Sequence, residues 1–156
     1  MKILVIRFSS IGDIVLTTPI VRCLKQQIKD VEVHYLTKDG FKSVLDKNPY
    51  IDFLHTIKND LSEIIPTLKD TFDLVFIDAD KREYVEYFKL ISDKIPSGAY
   101  LIADNTLWGG KVLKKPAADD QQTKGIIDFN SFIKIISPKN PATKNCVPII
   151  IVTNAI

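Results

Sequence analysis

Residues 72–81 read Phe-Asp-Leu-Val-Phe-Ile-Asp-Ala-Asp-Lys, and the fold is decided on this stretch. Residues 72–77 form a short, nearly continuous apolar run rich in β-branched and aromatic side chains, the pattern of a strand buried on both faces of a parallel sheet. The charged group Asp78-Ala79-Asp80-Lys81 begins where that strand stops. Upstream, residues 2–7 are a second apolar run, residues 31–36 alternate as a strand, and residues 53–57 make a third. Between them lie a turn at 9–13, helical periodicity over 14–27, a short helix over 39–46 and a breaker at Asn48-Pro49. Pro19 is expected to kink the first helix or to restart it with Thr18 as the cap. A further short helix is expected over 61–68, with Pro66 placing its end in doubt. Downstream, residues 83–92 are helical, Pro96-Ser97-Gly98 turns the chain into a strand at 100–103, and a long loop runs from Asp104 to about Asp120. A helix over 121–136, a loop over 137–144 and an apolar strand over 147–153 complete the pattern.

Strand and helix thus alternate from end to end. Such alternation predicts right-handed βαβ crossovers and an α/β fold: a single doubly wound, mainly parallel, Rossmann-like sheet of about six strands with helices on both faces, one domain over 1–156.

A chain of 156 residues is long enough to bury one substantial core. Its charge of +2 is spread among interleaved acids and bases, which argues against a nucleic-acid partner. The opening apolar run stops at Arg7, too soon for a signal peptide, and no apolar stretch approaches the ~20 residues of a membrane span. Cys23 and Cys146 have no metal or redox spacing, and Cys23 is expected in the core. The expected compartment is the cytoplasm.

Ligands of open α/β sheets sit beyond the carboxyl ends of the strands. The first such place is Ser9-Ser10-Ile11-Gly12-Asp13. Its backbone N–H groups suit a phosphate or sugar hydroxyl, and Asp13 is a candidate general base toward an acceptor hydroxyl. Ser10 and Asp13 are also spaced as a capping box, which by itself explains both residues. The run Ile3-Leu4-Val5-Ile6-Arg7-Phe8-Ser9-Ser10-Ile11-Gly12-Asp13-Ile14-Val15-Leu16-Thr17-Thr18-Pro19 resembles the amino terminus of the heptosyltransferase family, glycosyltransferase family 9. The likeness extends through residues 31–36 and Asn48-Pro49-Tyr50-Ile51-Asp52 to about residue 70. It implies a catalytic aspartate at Asp13, but the second nucleotide-sugar domain of that family has no counterpart here.

Two later strand ends carry Asp78-Ala79-Asp80-Lys81 and Asp104-Asn105. If the strands are neighbours, Asp78, Asp104 and Asn105 offer two carboxylates and an amide oxygen to one hard cation, Mg²⁺ or Ca²⁺. A diol bound to that cation has more acidic hydroxyls, and Lys81 is placed to take the proton if burial lowers its pKa. Acidic residues after strands are also ordinary loop residues, and Asp-Asn favours turns. Residues 72–81 with Tyr84 and Tyr87, the run Gly98-Ala99-Tyr100-Leu101-Ile102-Ala103-Asp104-Asn105-Thr106-Leu107-Trp108-Gly109-Gly110-Lys111-Val112, and Phe129-Asn130 closely resemble the metal-dependent catechol and caffeoyl-CoA O-methyltransferases. That resemblance implies Asp78, Asp104 and Asn105 as metal ligands and Lys81 as the catalytic lysine. It also implies Asp80 near an S-adenosylmethionine donor and Trp108 on the substrate pocket wall.

Two departures qualify the likeness. The family's glycine-rich donor loop and the acid ending its second strand should lie before Phe72, where the only glycines are Gly12 and Gly40. The chain therefore reads as a chimera with a seam near 71–75. The leading expectation is an O-methyltransferase-like protein acting on a small-molecule vicinal diol or catechol hydroxyl, impaired in donor binding, with a homodimer as the assembly considered. A heptosyltransferase-like fragment binding a sugar acceptor and a non-catalytic Rossmann-like domain are the alternatives.

Overall fold

In the computed structural model, which describes residues 1–58, 63–64, 67–136 and 149–152, β1 (Lys2–Arg7) runs through the middle of the sheet. Its side chains alternate between two cores: Ile3 and Val5 enter one, Leu4 and Ile6 the other, all buried. The other strands are β2 (Glu32–Lys38), β3 (Phe53–Ile57), β4 (Leu74–Asp78), β5 (Tyr100–Asp104) and β6 (Ile149–Val152). They lie in the order β3-β2-β1-β4-β5-β6, and every neighbouring pair is parallel. The winding reverses between β1 and β4, so a cleft is expected outside the carboxyl ends of those two strands.

Helices cover both faces. On one side α1 (Ile11–Gln27) and α2 (Lys42–Leu45) bring Ile14, Val21 and Leu45 against Ile3, Val5, Val33 and Tyr35. On the other, α3 (Tyr84–Ile91) and α4 (Gln121–Ile136) bring Tyr84, Phe88, Ile126 and Phe129 against Leu4, Ile6, Val75, Ile77, Leu101 and Ala103. Each such side chain, fully buried, contributes about 1.5–3 kcal/mol. Phe129 is fully buried and meets the Tyr84 ring edge-on at 5.3 Å, so Phe129→Ala is expected to cost about 3–5 kcal/mol.

Several local expectations change. α1 neither kinks into two helices nor restarts at Thr18. Pro19 has no N–H for the Val15 carbonyl, but the Thr18 hydroxyl donates to that same oxygen at 2.8 Å. Cys23 is exposed rather than in the core: it lies two residues, about 200° of helix, beyond the inward-facing Val21. β4 starts two residues later than expected, because the Phe72 N–H turns to the Lys94 carbonyl at 2.7 Å instead of joining the ladder. The expected helix over 39–46 is a 3₁₀ turn at Asp39–Phe41 followed by α2. The loop after β5 contains a 3₁₀ stretch at Trp108–Leu113, turned by Gly109 and Gly110 at φ of 59° and 78°. Most of the helix expected over 61–68, the loop over 137–144, Cys146 and the ends of the last strand lie outside the described residues. Among the described residues, no helix is long and apolar enough to cross a membrane.

Candidate functional site

The parallel register brings three strand tips side by side. Arg7 of β1 is the Cα partner of Asp78 of β4. Ile77 pairs with Ala103, so Asp78 and Asp104 are the next residues on adjacent strands. An open cleft of about 830 Å³ lies over these tips. Asp13, Asp78, Asp80, Lys81, Asp104 and Asn105 all line it, and so do Arg7, Lys38 and Trp108. The candidate residues of both halves of the chain therefore share one cleft, a size suited to a small-molecule ligand.

Asp78 is the hub. One of its oxygens accepts from Lys81 Nζ at 3.0 Å, and the other is ion-paired with the Arg7 guanidinium. Arg7 also reaches Asp13 at 3.1 Å and donates from Nε to the Ser9 carbonyl at 2.8 Å. Asp13 in turn accepts from the Ser10 N–H at 3.2 Å and the Ser10 hydroxyl at 3.0 Å. The Ser10 hydrogen bonds and then Arg7 hold the Asp13 carboxyl below its usual pKa. The capping role anticipated for Asp13 is thus present, and it engages the carboxylate that a general base would use.

Lys81 lies on a 3₁₀ turn, Lys81–Glu83, and is only 5% exposed. Its three ammonium hydrogens meet three acceptors: Asp78 Oδ1, the Asp104 carbonyl at 3.1 Å and the Tyr84 hydroxyl. Burial pushes its pKa down to about 8, against the opposing charge of Asp104. The Tyr84 hydroxyl lies 3.2 Å from both the Ile77 and Asp104 carbonyls, and burial raises its pKa. Lys81 thereby ties the tip of β4 to the tip of β5.

Asp104 engages Lys81 and Tyr84 through its main-chain carbonyl, and it lines the cleft beside Asn105. Asn105 and Trp108 adopt left-handed backbone, φ 60° and 50°. The first is tolerable for asparagine, whereas the second stores strain at the rim of the cleft. Asn130 of α4 holds this loop by donating to the Thr106 carbonyl at 2.9 Å. Three buried polar atoms of this region, Thr106 Oγ1, Trp108 Nε1 and Asn130 Oδ1, have no hydrogen-bond partner among the described residues. Asp80 caps the 3₁₀ turn and is spanned by Arg82, which lowers its pKa.

In kind, the donors fit a hard cation: two carboxylates and an amide on adjoining tips. Asp78, Asp104 and Asn105 would hold it, with Arg7 now placed at Asp78. Among the described residues before β4, the turn after β1 is not glycine-rich. β1 runs into Phe8-Ser9-Ser10 rather than a glycine-rich turn, the Cβ position of Gly12 meets nothing nearer than Ser10 Oγ at 3.9 Å, and β2 ends on Lys38.

Sequence reasoning overlooked Arg7 and Gly125. Arg7 ends a strand at the carboxyl edge, which was sufficient reason to consider it. Gly125 is an isolated glycine inside α4. A Cβ there would lie 2.4 Å from the Lys81 carbonyl and 2.6 Å from Arg82 Cα, so the helix can approach the Lys81 turn only without a side chain.

A family model described as O-methyltransferase matches residues 24–144. Caffeoyl-CoA O-methyltransferase 1 of Arabidopsis thaliana is 42% identical over 60 residues, 37% of this chain and 23% of that protein. Lipopolysaccharide heptosyltransferase 1 of Campylobacter coli is 31% identical over 84 residues, 54% of this chain and 23% of that protein. Among solved structures, the O-methyltransferase TomG of Streptomyces achromogenes in complex with SAM superposes with a TM-score of 0.65 at 24% identity, covering 85% of this chain and 60% of that one. The chain thus spans about a quarter of the length of these curated relatives; likenesses to both families reappear, and the O-methyltransferase match runs across residues 71–75.

Proposed function

Because the chain belongs to the O-methyltransferase family, we propose that its cleft serves methyl transfer to a hydroxyl of a small vicinal diol or catechol-type molecule. S-adenosylmethionine is the proposed donor, weakly held for want of a glycine-rich loop, and Mg²⁺ or Ca²⁺ the proposed cation at Asp78, Asp104 and Asn105. The SAM-bound relative supports the choice of donor.

The observation that carries the reading is Lys81. It is buried at the cleft with a pKa near 8, so a neutral amine is accessible close to neutral pH. Its Nζ takes the acceptor hydroxyl's proton, and Asp78, the Asp104 carbonyl and the Tyr84 hydroxyl then hold the ammonium so formed. Trp108 walls the acceptor side of the cleft, and Asp80 lines it near the donor. A bound divalent cation would lower the acceptor's hydroxyl pKa.

The test is transfer of labelled methyl from S-adenosylmethionine to catechol with Mg²⁺ present. Slow, cation-dependent transfer that disappears in Lys81→Met and Asp104→Ala is expected. No transfer at saturating donor, acceptor and cation would overturn the reading. Asp13 and Arg7 on the same cleft favour a second one, in which the cleft binds a sugar acceptor. Binding of a sugar phosphate that is lost in Asp13→Ala would move the assignment there.

A further inference from the structure

A second constellation lies at the opposite end of the sheet, outside the cleft. Glu32 and His34 sit two residues apart on β2 and so share a face, and Asp70 comes from the segment leading to β4. One ligand atom from each of these three residues lies within 4.8 Å of the others. Glu32 Oε1 is 2.9 Å from His34 Nε2. The Lys2 ammonium stands between the carboxylates, 3.0 Å from Glu32 and ion-paired with Asp70.

Salt bridges of Lys2 would account for the two carboxylates, although exposed pairs stabilise by at most about 1 kcal/mol. They do not account for His34. This imidazole is 1% exposed, stacked on Phe53 at 4.6 Å and edge-on to Phe72 at 5.0 Å, a position where an apolar ring would pack as well. Its Nε2 faces the carboxylates, while its Nδ1 is 3.0 Å from His55 Nε2. A ligating histidine is commonly arranged this way, with one nitrogen toward the ion and the other fixed by a second group that sets the tautomer.

We propose that Glu32, His34 and Asp70 form a binding site for a transition-metal cation of the Zn²⁺ class, in which the Lys2 ammonium is a displaceable occupant. One imidazole and two carboxylates are a donor set that zinc accepts and that leaves a fourth position to water. Tetrahedral ligands about 2.1 Å from zinc stand about 3.4 Å apart, so modest side-chain rotations close the present arrangement. Two carboxylates carry charge −2, which a divalent ion neutralises and a single ammonium only halves. Both carboxyls are already held ionised, Glu32 by His34 and Lys2, Asp70 by Lys2. The bound ion would fasten β2 to the entry of β4, next to the seam between the two halves.

The full chain is titrated with Zn²⁺ by calorimetry and thermal denaturation, and with Co²⁺ for the visible absorption of a tetrahedral site. Wild type is expected to bind Zn²⁺ and melt higher. Lys2→Met is expected to bind about tenfold or more tightly, and Glu32→Gln, Asp70→Asn and His34→Gln about tenfold or more weakly. Glu32 and Asp70 are partly exposed, so their variants keep the test decisive if His34→Gln fails to fold. Glu86→Gln, on the exposed face of α3, is expected to leave this signal unchanged. Zinc binding that is absent from both wild type and Lys2→Met, or that survives intact in Glu32→Gln and Asp70→Asn, would overturn the proposal.

Discussion

Arg7 and Asp78 are register partners at the carboxyl ends of β1 and β4, and their side chains are ion-paired there at only 13% and 14% exposure. Arg7 lies before the O-methyltransferase match at residues 24–144 and Asp78 within it. The pair sits at the spot where the winding of the sheet reverses.

A cation at Asp78 must contend with this guanidinium. Two positive charges about 4 Å apart repel by about 1–4 kcal/mol in partly solvated surroundings. Arg7→Met is accordingly expected to tighten Mg²⁺ binding by about tenfold or more, read by calorimetry. Without the ion the same variant should be less stable than wild type, since Asp78 keeps only Lys81. Equal Mg²⁺ affinity in the two proteins would show that Arg7 does not oppose the ion.

The depressed pKa of Lys81 has a signed consequence. Between about pH 8 and the ordinary 10.5, the unfolded chain keeps a proton at this residue that the folded chain has released. The stability of wild type relative to Lys81→Met should therefore rise with pH across that window and stay flat below it. Methyl transfer should likewise rise with pH as Lys81 loses its proton. A flat stability difference from pH 7 to 10.5, measured by urea denaturation, would contradict the assignment.

Gly125→Ala sets two effects against each other. Alanine favours a helix interior by about 1 kcal/mol, but the new Cβ would meet main-chain atoms of Lys81 and Arg82 rather than a pliable side-chain tip. The steric cost, about 1–3 kcal/mol with displacement of the Lys81 turn, is expected to dominate. Chemical denaturation should show a net loss of stability, and the Lys81 pKa followed by NMR should move toward its ordinary value.

Thr18 and Pro19 should be coupled. With Pro19 present, Thr18→Val leaves the Val15 carbonyl without its 2.8 Å partner and should cost about 0.5–1.5 kcal/mol. In a Pro19→Ala background the restored backbone N–H serves that carbonyl, and the same change should cost less. A double-mutant cycle by thermal denaturation measures the difference, and additive effects would rule out the compensation.

Much of this fold is legible in the sequence. Apolar runs at 2–7, 53–57 and 72–77 announced buried parallel strands, and the charged groups after 77 and 103 marked the cleft rim. The exposure of Cys23 is not legible in the sequence because α1 is only loosely amphipathic, with Ile11, Val15, Leu16 and Ile20 exposed, so its buried stripe is not evident from periodicity. Trp108 was named, but nothing local foretells a left-handed tryptophan; the surrounding packing imposes it.

By itself the sequence determined the alternation of strands and helices, the resemblance to two families and the residue types at every strand end, because these depend on neighbours along the chain. Only the tertiary structure decided that β1 lies against β4 and β4 against β5. That placement sets Arg7 against Asp78, and it gathers Glu32, His34 and Asp70 at the far edge of the sheet. Strand order and register arise from burying both faces of one sheet at once, a long-range condition that no window of local sequence contains.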